Sequence, residues 1–212
     1  MTLPVIATTS FMLGLSGAMM PGPLLTLTIS EAARRGMRAG PLLILGHALL
    51  EALLVALLLI GLADLVQRPL VFGIVGLCGG AMLLWMGGGM LYGLPSLTLD
   101  LSQTSTRKGL PPVISGGLVS LANPYFTLWW ATVGIGYLTV TSDRGWQGGL
   151  VFYLFHILAD LFWYCLVAFS VSRGRHLLTD RPYRILIGGC ALFLLAFGSY
   201  FGFQGFLKLT AL

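Results

Sequence analysis

Charged side chains are scarce in this sequence of 212 residues. Lysine and arginine number 12 and aspartate and glutamate 7, so charged residues make up 9% of the chain, against roughly 25% in a soluble domain. This scarcity excludes an ordinary soluble globule. Hydrophobic residues account for 57% of the chain, and the mean hydropathy is +0.91 with a sequence pI near 9.4. Such a composition also excludes a disordered tail and a nucleic-acid-binding module.

Two further absences concern disulfides and a signal peptide. Cys78, Cys165 and Cys190 all lie in apolar runs without metal-binding spacing, so we expect buried small side chains and no disulfide framework. No basic residue precedes Arg34, and no convincing cleavage site follows the first apolar stretch. We therefore expect the N-terminal segment to be retained as a membrane-spanning helix.

Long apolar runs are present instead, and their polarity does not alternate. Runs of roughly 20 residues or more predict an all-α membrane protein rather than an outer-membrane barrel. If the six spans alternate in direction, three of the loops share one side and hold nine of the 12 basic residues. That bias predicts a cytoplasmic (inner) membrane protein with those loops in the cytoplasm and both termini outside. The predicted spans are 4–30, 39–63, 69–94, 111–139, 146–171 and 183–207.

The sequence repeats itself at a fixed offset. Glu51 is matched by Asp160 at an offset of 109, and an offset of 103 pairs Pro21 with Pro124 and Gly14 with Gly117. Because each half holds three spans, an odd number, the second copy must cross the membrane in the opposite direction. We predict a first repeat at 1–94, a linker at 95–110 and an inverted repeat at 111–212. Seven residues have a residue of the same type 109 positions later, namely Gly36, Gly40, His47, Gly79, Gly80, Gly89 and Gly93.

Proline interrupts the first span of each repeat. Pro21-Gly22-Pro23 lies about two thirds along the first span, and Asn123-Pro124 lies at the equivalent place in the fourth. Proline removes a backbone donor and disfavours helix at the preceding residue, so both helices should kink or unwind there. Unpaired backbone is tolerated in a membrane only where it faces protein or a water-filled cavity. The paired breaks therefore indicate a binding site, with a simple packing kink as the alternative.

The half-helices that follow the breaks suit an anion. The first should present free amides from Leu24 through Leu27, and Asn123 should cap the second or reach the ligand itself. A substrate carboxylate is the expected guest. Tyr125 and Trp129 share one helical face and either wall the cavity or pack between helices. The predicted substrate-binding residues are Pro21, Gly22, Pro23, Thr26, Asn123, Pro124, Tyr125 and Trp129.

Two carboxylates lie midway along apolar spans, Glu51 in the second and Asp160 in the fifth. A charge at the bilayer centre costs at least ~2.5 to 3.5 kcal/mol, so such residues are candidates for function. Each has a histidine four residues earlier, His47 and His156, on the same helical face. Because the repeat axis relates one pair to the other, all four side chains can converge on a central cavity.

Three interpretations of these four residues stay open. In the first, a carboxylate takes up and releases a proton with help from histidine, and its negative form pairs with a substrate ammonium. In the second, two imidazoles and two carboxylates bind a divalent metal, for which the ligand types are adequate but the spacing is not specific. In the third, local hydrogen bonds between histidine and acid simply lock helices together.

Paired glycines in the third and sixth spans favour close helix packing rather than chemistry. Spacing leaves open whether this face meets a helix of the same chain or a second copy, so a homo-oligomer is not excluded. The pairs are 79/80, 89/93, 188/189 and 198/202.

Four stretches taken together are recognisable: Pro21-Gly22-Pro23, Gly46-His47, residues 78–87 and residues 120–125. They resemble the LysE-type translocators, the lysine exporter family of bacterial and archaeal inner-membrane proteins, and the resemblance covers essentially the whole chain. It implies export of an amino acid or derivative driven by the membrane potential or a proton gradient. Relatives in the wider superfamily move metal cations. Tyr125 stands where many of these exporters have lysine, so the family name does not establish lysine as the substrate.

The sequence thus predicts an exporter that moves an amino acid or related small zwitterion outward by alternating access, with the lipid bilayer as its other partner and no cofactor. The main alternative is a divalent metal cation exporter that uses His47, Glu51, His156 and Asp160. A membrane-embedded enzyme ranks third, because no nucleophile and base pair at a plausible spacing. A purely structural membrane protein ranks fourth.

Overall fold

The computed structural model describes residues 1–62, 68–97, 110–174 and 180–210. These residues are helical and contain no strand. Most of the predicted linker, together with Arg107, Lys108 and Arg175, lies outside them. Shorter helical turns cover Leu58–Leu62, Leu94–Ser96, Trp130–Gly134 and Ser142–Arg144. The α-helices are α1 (Leu3–Ala18), α2 (Pro23–Arg35), α3 (Ala39–Leu57), α4 (Pro69–Gly93), α5 (Pro112–Leu121), α6 (Pro124–Trp129), α7 (Ile135–Thr141), α8 (Trp146–Arg173) and α9 (Asp180–Thr210).

Four helical segments of the described residues are long and apolar enough to cross a membrane, and α1 with α2 makes a fifth if this bent pair is one span. The all-helical membrane class is therefore confirmed, with four or five candidate spans. The predicted fourth span, 111–139, does not form one long α-helix. It comprises α5, α6 and α7, and a π-helical turn lies between the last two. The four long segments are Ala39–Gly61, Pro69–Ser96, Trp146–Arg173 and Asp180–Thr210.

The expected break in the first span is present. Helix α1 ends at Ala18, and the axes of α1 and α2 differ by 77°. Gly22 is fully extended, with φ −170° and ψ −174°, and Pro23 is the first residue of α2. Proline suits that position because the amide it lacks would have no helical partner there.

The second break follows the same rule with a different cap. Helix α5 ends at Leu121, and Asn123 takes an extended conformation before Pro124 opens α6. The Asn123 side chain accepts a hydrogen bond of 3.1 Å from the amide of Tyr125. A capping side chain therefore satisfies one of the orphan amides at the start of α6.

Helices of the two halves interlock across the middle of the molecule. Helix α1 packs on α8, and α3 packs on α5, so the first helix of each half lies against the second helix of the other. Glycine makes the α3–α5 contact possible. A Cβ atom on Gly46 would lie 1.7 Å from the carbonyl oxygen of Val113, and one on Gly116 would lie 2.0 Å from that of Leu43.

Only some of the predicted glycines of α4 and α9 pack on each other. A Cβ on Gly80 would lie 2.6 Å from the Gly202 amide nitrogen, and one on Gly198 would lie 2.9 Å from the Gly80 carbonyl oxygen. The contact continues at Gly87, where a Cβ would lie 2.9 Å from the Ala191 carbonyl oxygen. Gly89 lies on the opposite face of α4 from Gly80, and a Cβ there would meet no described atom within 4 Å. The predicted glycines therefore do not all share one packed face.

Two apolar clusters flank the central segments of α3 and α8. Tyr164 of α8 and Ile44 of α3 belong to one cluster, and Phe152 and Val55 of the same helices belong to the other. The residues between them, one or two helical turns from each cluster, are held in place from both sides. These central segments carry the polar side chains described next.

We predict that Gly46→Ala destabilises the protein by at least about 1 to 3 kcal/mol, the usual cost of overpacking, because a backbone oxygen occupies the place of the new methyl group. Gly88→Ala in α4 is the matched control, since a Cβ there meets no described atom within 4 Å. That change should be neutral or slightly stabilising, because alanine favours helix over glycine. Thermal unfolding in detergent measures both variants. Equal melting temperatures for the two would contradict the close α3–α5 contact.

Candidate functional site

The two helix breaks meet at a central cavity of about 60 Å³. Pro21 and Gly22 line it from the first break and Asn123 from the second. A Cβ on Gly22 would lie 3.9 Å from the Asn123 side-chain nitrogen, which shows how closely the breaks approach each other. Segments about 100 residues apart in the chain therefore form one wall.

The four polar residues singled out by the repeat lie together at this cavity. The Nε2 atom of His47 is 3.4 Å from Glu51 Oε1 and 3.5 Å from Asp160 Oδ2. The Nε2 atom of His156 is 3.2 Å from Glu51 Oε1 and 3.5 Å from Asp160 Oδ2. We call these four residues the His–acid cluster. Their expected convergence is confirmed, whereas their role stays a prediction.

Burial makes the charge balance of the His–acid cluster important. Glu51 is 1% exposed and Asp160 4%. Buried carboxylates are costly unless they are paired and hydrogen-bonded, and here each faces two imidazole nitrogens. Even so, Glu51 Oε2 has no hydrogen-bond partner among the described residues, and Asp160 Oδ2 has only the two imidazole contacts at 3.5 Å. These two oxygens can accept hydrogen bonds from a cationic guest.

Two further residues complete the cluster, and the sequence analysis did not assign them a site role. The indole nitrogen of Trp130 donates to Glu51 Oε1 over 2.9 Å. The Ser120 hydroxyl lies 2.8 Å from His47 Nδ1. Repeat matching could not find Ser120, because the offset of 103 places Gly17 opposite it. A signal was nevertheless present, since Ser120 lies one helical turn before the predicted cap Asn123.

Aromatic side chains form much of the remaining wall. Tyr125, Phe126 and Trp129 line the cavity. The Trp129 ring centroid lies 4.7 Å from that of His156, so this tryptophan packs directly on the His–acid cluster. Among the two options that the sequence left open for Tyr125 and Trp129, walling the cavity agrees with this position.

Three predicted substrate-binding residues do not line the cavity. Pro23 and Thr26 lie along a separate groove with Ser30, because these positions share the opposite face of α2. Pro124 instead packs near Gly79, where a Cβ would be 3.6 Å from its ring.

The expectation of free amides from Leu24 through Leu27 is wrong in part. The Thr26 amide already donates to the Gly22 carbonyl over 3.0 Å, which is the first helical hydrogen bond of α2. The amides that precede this bond belong to Gly22, Leu24 and Leu25. An anion at this helix end would therefore meet amides about half a turn earlier than the sequence analysis placed them.

Geometry alone does not separate a metal site from an ion-pair site. One ligand atom each from His47, Glu51 and Asp160 lie within 4.8 Å of one another. Imidazole and carboxylate are adequate ligands for a divalent transition metal. The same atoms, however, are already explained by the pairing of acid with imidazole.

Comparison with known proteins identifies relatives over most of the chain. The family model named LysE, for LysE type translocator, matches residues 15–205. The "Putative amino acid efflux protein YcgF" of Bacillus subtilis is 29% identical over 202 residues, covering 93% of this chain and 95% of that protein. A leucine efflux protein of Klebsiella pneumoniae is 24% identical over 157 residues, covering 74% and 73%. One of Salmonella typhimurium is 25% identical over 158 residues, also covering 74% and 73%. No solved structure matches the chain, and none of these names supports the metal alternative.

We predict that Trp130→Phe lowers the free energy of unfolding by about 1.5 to 3 kcal/mol, the typical value of a hydrogen bond to a charged group. The phenyl ring no longer donates to Glu51, and because it is smaller than the buried indole it also loses part of the packing, which adds to the destabilisation. Trp85→Phe is the control, because Trp85 is 76% exposed on α4. Thermal unfolding in detergent compares the two variants. A loss of stability in Trp85→Phe as large as that in Trp130→Phe would count against the Glu51 contact.

Proposed function

We propose, because the chain belongs to the LysE type translocator family, that it exports an amino acid or related small zwitterion across the cytoplasmic membrane. The observation that carries this proposal is the central cavity, where both helix breaks meet a buried cluster of two acids and two imidazoles. Relatives named for amino acid efflux and leucine efflux cover most of the chain and support it.

The cavity offers complementary groups for the two charged ends of an amino acid. Glu51 Oε2 has no hydrogen-bond partner among the described residues and Asp160 Oδ2 has only the imidazole contacts at 3.5 Å, so both oxygens suit an ammonium. The opening amides of α2 and the side-chain nitrogen of Asn123 suit a carboxylate, because helix N-termini favour anions. Asn123 uses its oxygen for capping, which leaves that nitrogen to donate.

The uncharged part of the substrate would lie against the aromatic wall of Tyr125, Phe126 and Trp129. Neither lysine nor arginine lines the cavity among the described residues. An amino acid with an apolar side chain is therefore the best fit, in keeping with the relatives named leucine efflux proteins.

Substrate binding requires the lining residues to move apart. A cavity of about 60 Å³ matches the share of liquid volume of only about two water molecules. The helix breaks at Gly22 and Asn123 are suited to this movement, because they already separate rigid helices on either side. Alternating access would then open the cavity to one side of the membrane at a time.

The packing of equivalent glycines supports an inverted repeat. A Cβ on Gly40 would lie 3.0 Å from Ala168 Cβ, and one on Gly149 would lie 3.7 Å from a Leu59 methyl carbon. The offset of 109 exchanges Gly40 with Gly149 and Leu59 with Ala168. One contact is therefore the image of the other, as a two-fold axis between the halves requires.

Contacts near the ends of the spans support six crossings, with α5, α6 and α7 together as the fourth. The Arg144 side chain donates to the Met1 carbonyl over 2.7 Å, and Arg184 donates to the Leu97 carbonyl over 2.7 Å. Six crossings place the residues of each pair on the same side of the membrane. With the basic loops inside, both termini would face outward.

Charge complementarity explains how export could be coupled to protons. An ammonium and a proton each bring one positive charge to the same two carboxylates, so binding of one disfavours the other. Each charge that crosses 100 mV contributes ~2.3 kcal/mol, and exchange of a substrate against a proton can therefore drive export.

We predict that Glu51→Gln and Asp160→Asn each reduce amino acid flux about 10- to 100-fold, since a charge-assisted hydrogen bond is worth about 1.5 to 3 kcal/mol. Purified protein in vesicles is screened with labelled leucine, other amino acids and divalent metals, with and without a pH gradient. Asp143→Asn, at an exposed turn residue, is the matched control. Undiminished flux in both acid variants would remove the carboxylates from the mechanism. Flux of a metal without flux of any amino acid would overturn the proposal.

A further inference from the structure

The two histidines of the His–acid cluster differ in the contacts of their Nδ1 atoms. His47 Nδ1 is 2.8 Å from the Ser120 hydroxyl oxygen, and that oxygen is 2.8 Å from the Gly116 carbonyl oxygen. His156 Nδ1 is buried and has no hydrogen-bond partner among the described residues. Equivalent positions of the two repeats therefore have different surroundings.

The contacts of Ser120 determine which nitrogen of His47 carries a proton. A hydroxyl has one hydrogen, and a carbonyl oxygen can only accept, so Ser120 must donate to Gly116. Its oxygen is then left to accept from His47, whose Nδ1 must carry a hydrogen. Ser120 is 1% exposed and His47 7%, so water does not replace either partner readily.

The hydrogen on Nδ1 determines what His47 presents to the acids at Nε2. In a neutral His47 with hydrogen on Nδ1, the lone pair of Nε2 points toward Glu51 Oε1 at 3.4 Å and Asp160 Oδ2 at 3.5 Å. Lone pairs that face each other in a buried site repel. One proton must therefore lie between them, either on His47 Nε2 or on one of the two acids.

The other histidine has no such constraint. The repeat offset places Gly17 opposite Ser120, and a Cβ on neighbouring Gly14 would lie 2.9 Å from His156 Nδ1. Without an acceptor there, a neutral His156 keeps its hydrogen on Nε2, where it faces Glu51 Oε1 at 3.2 Å and Asp160 Oδ2 at 3.5 Å. This histidine can donate to the acids without any change of protonation.

We propose that Ser120 is a positioning residue that fixes the hydrogen of His47 on Nδ1, so that His47 Nε2 exchanges the coupling proton while His156 acts as a permanent donor. The inference rests on the proposed function. The proton would reach Nε2 from the outer side of the membrane and leave to cytoplasmic water when a substrate ammonium binds between the carboxylates. The other titratable groups that line the cavity are Glu51 on α3, Tyr125 on α6, and His156, Asp160 and Tyr164 on α8.

Nitrogen NMR of the histidine rings tests the inference directly. The chain has three histidines, and His176→Gln removes the one outside the described residues. Protein labelled with ¹⁵N-histidine is titrated with base until each ring is neutral, when His47 should show the Nδ1–H form and His156 the Nε2–H form. Ser120→Ala should convert His47 to the Nε2–H form. Finding one form for both rings, or no change in Ser120→Ala, would overturn the proposal.

The pH dependence of flux supplies a second readout. In Ser120→Ala the imidazolium of His47 loses an acceptor, so the pH of half-maximal flux should move toward acid by about one unit, the size expected for one hydrogen bond. Ser120→Thr keeps a hydroxyl and should restore the wild-type profile. Ser10→Ala is the matched control, because buried Ser10 also bonds the carbonyl four residues earlier, that of Ile6.

The two measurements separate this inference from the proposed function. Ring spectra do not require transport, so wild-type protein without amino acid flux would contradict the exporter while leaving the histidine assignment standing. Flux that falls equally at every pH in Ser120→Ala would show a packing role only and would overturn the inference. Thermal unfolding verifies that each variant is folded, and Ser120→Thr covers the case in which alanine is not tolerated.

Discussion

The pairing of two buried carboxylates with two imidazoles is the interaction on which the rest of this structure depends. Alone, either acid at the bilayer centre would cost at least ~2.5 to 3.5 kcal/mol. The four side chains come from only two helices, α3 and α8, and the Nε2 atom of each imidazole contacts both acids. These helices must therefore face each other at mid-length, with apolar clusters above and below. That requirement fixes the centre of the fold.

Glycine connects this centre to the helix breaks. Because α5 approaches α3 at Gly46 and Gly116, and α1 approaches α8 at Gly14, both first helices lie directly against the helices that carry the cluster. The segments that follow these first helices, at Gly22 and at Asn123, therefore lie at the cavity. Larger residues at these helix contacts would hold the two helix breaks away from the acids. The amides at the breaks and the carboxylates would then not lie in one site.

Much of the site could be predicted from the sequence, because acids in apolar runs and prolines inside spans have few structural explanations. Glu51 and Asp160 were found in this way, and their histidines followed from helical spacing. Ser120 and Trp130 were not predicted, because neither has a residue of its own type at the equivalent position of the other repeat. Trp130 also begins a π-helical turn, which shifts the helical register. The break of the fourth span at Asn123 was predicted from Pro124, whereas the π-helical turn that separates α6 from α7 was not, since composition alone does not show such a turn.

The departures from symmetry are as informative as the symmetry itself. A repeat with two identical halves would present two equivalent histidines, and neither would be distinguished as the site of proton exchange. Here Ser120 in one half, opposite Gly17 in the other, removes that equivalence with a single hydroxyl. In the proposed mechanism the duplicated scaffold would reverse its opening to the two sides of the membrane, and Ser120 would assign the proton to one ring throughout. Shape change and proton exchange would then rest on different residues, so a substitution could alter one without altering the other.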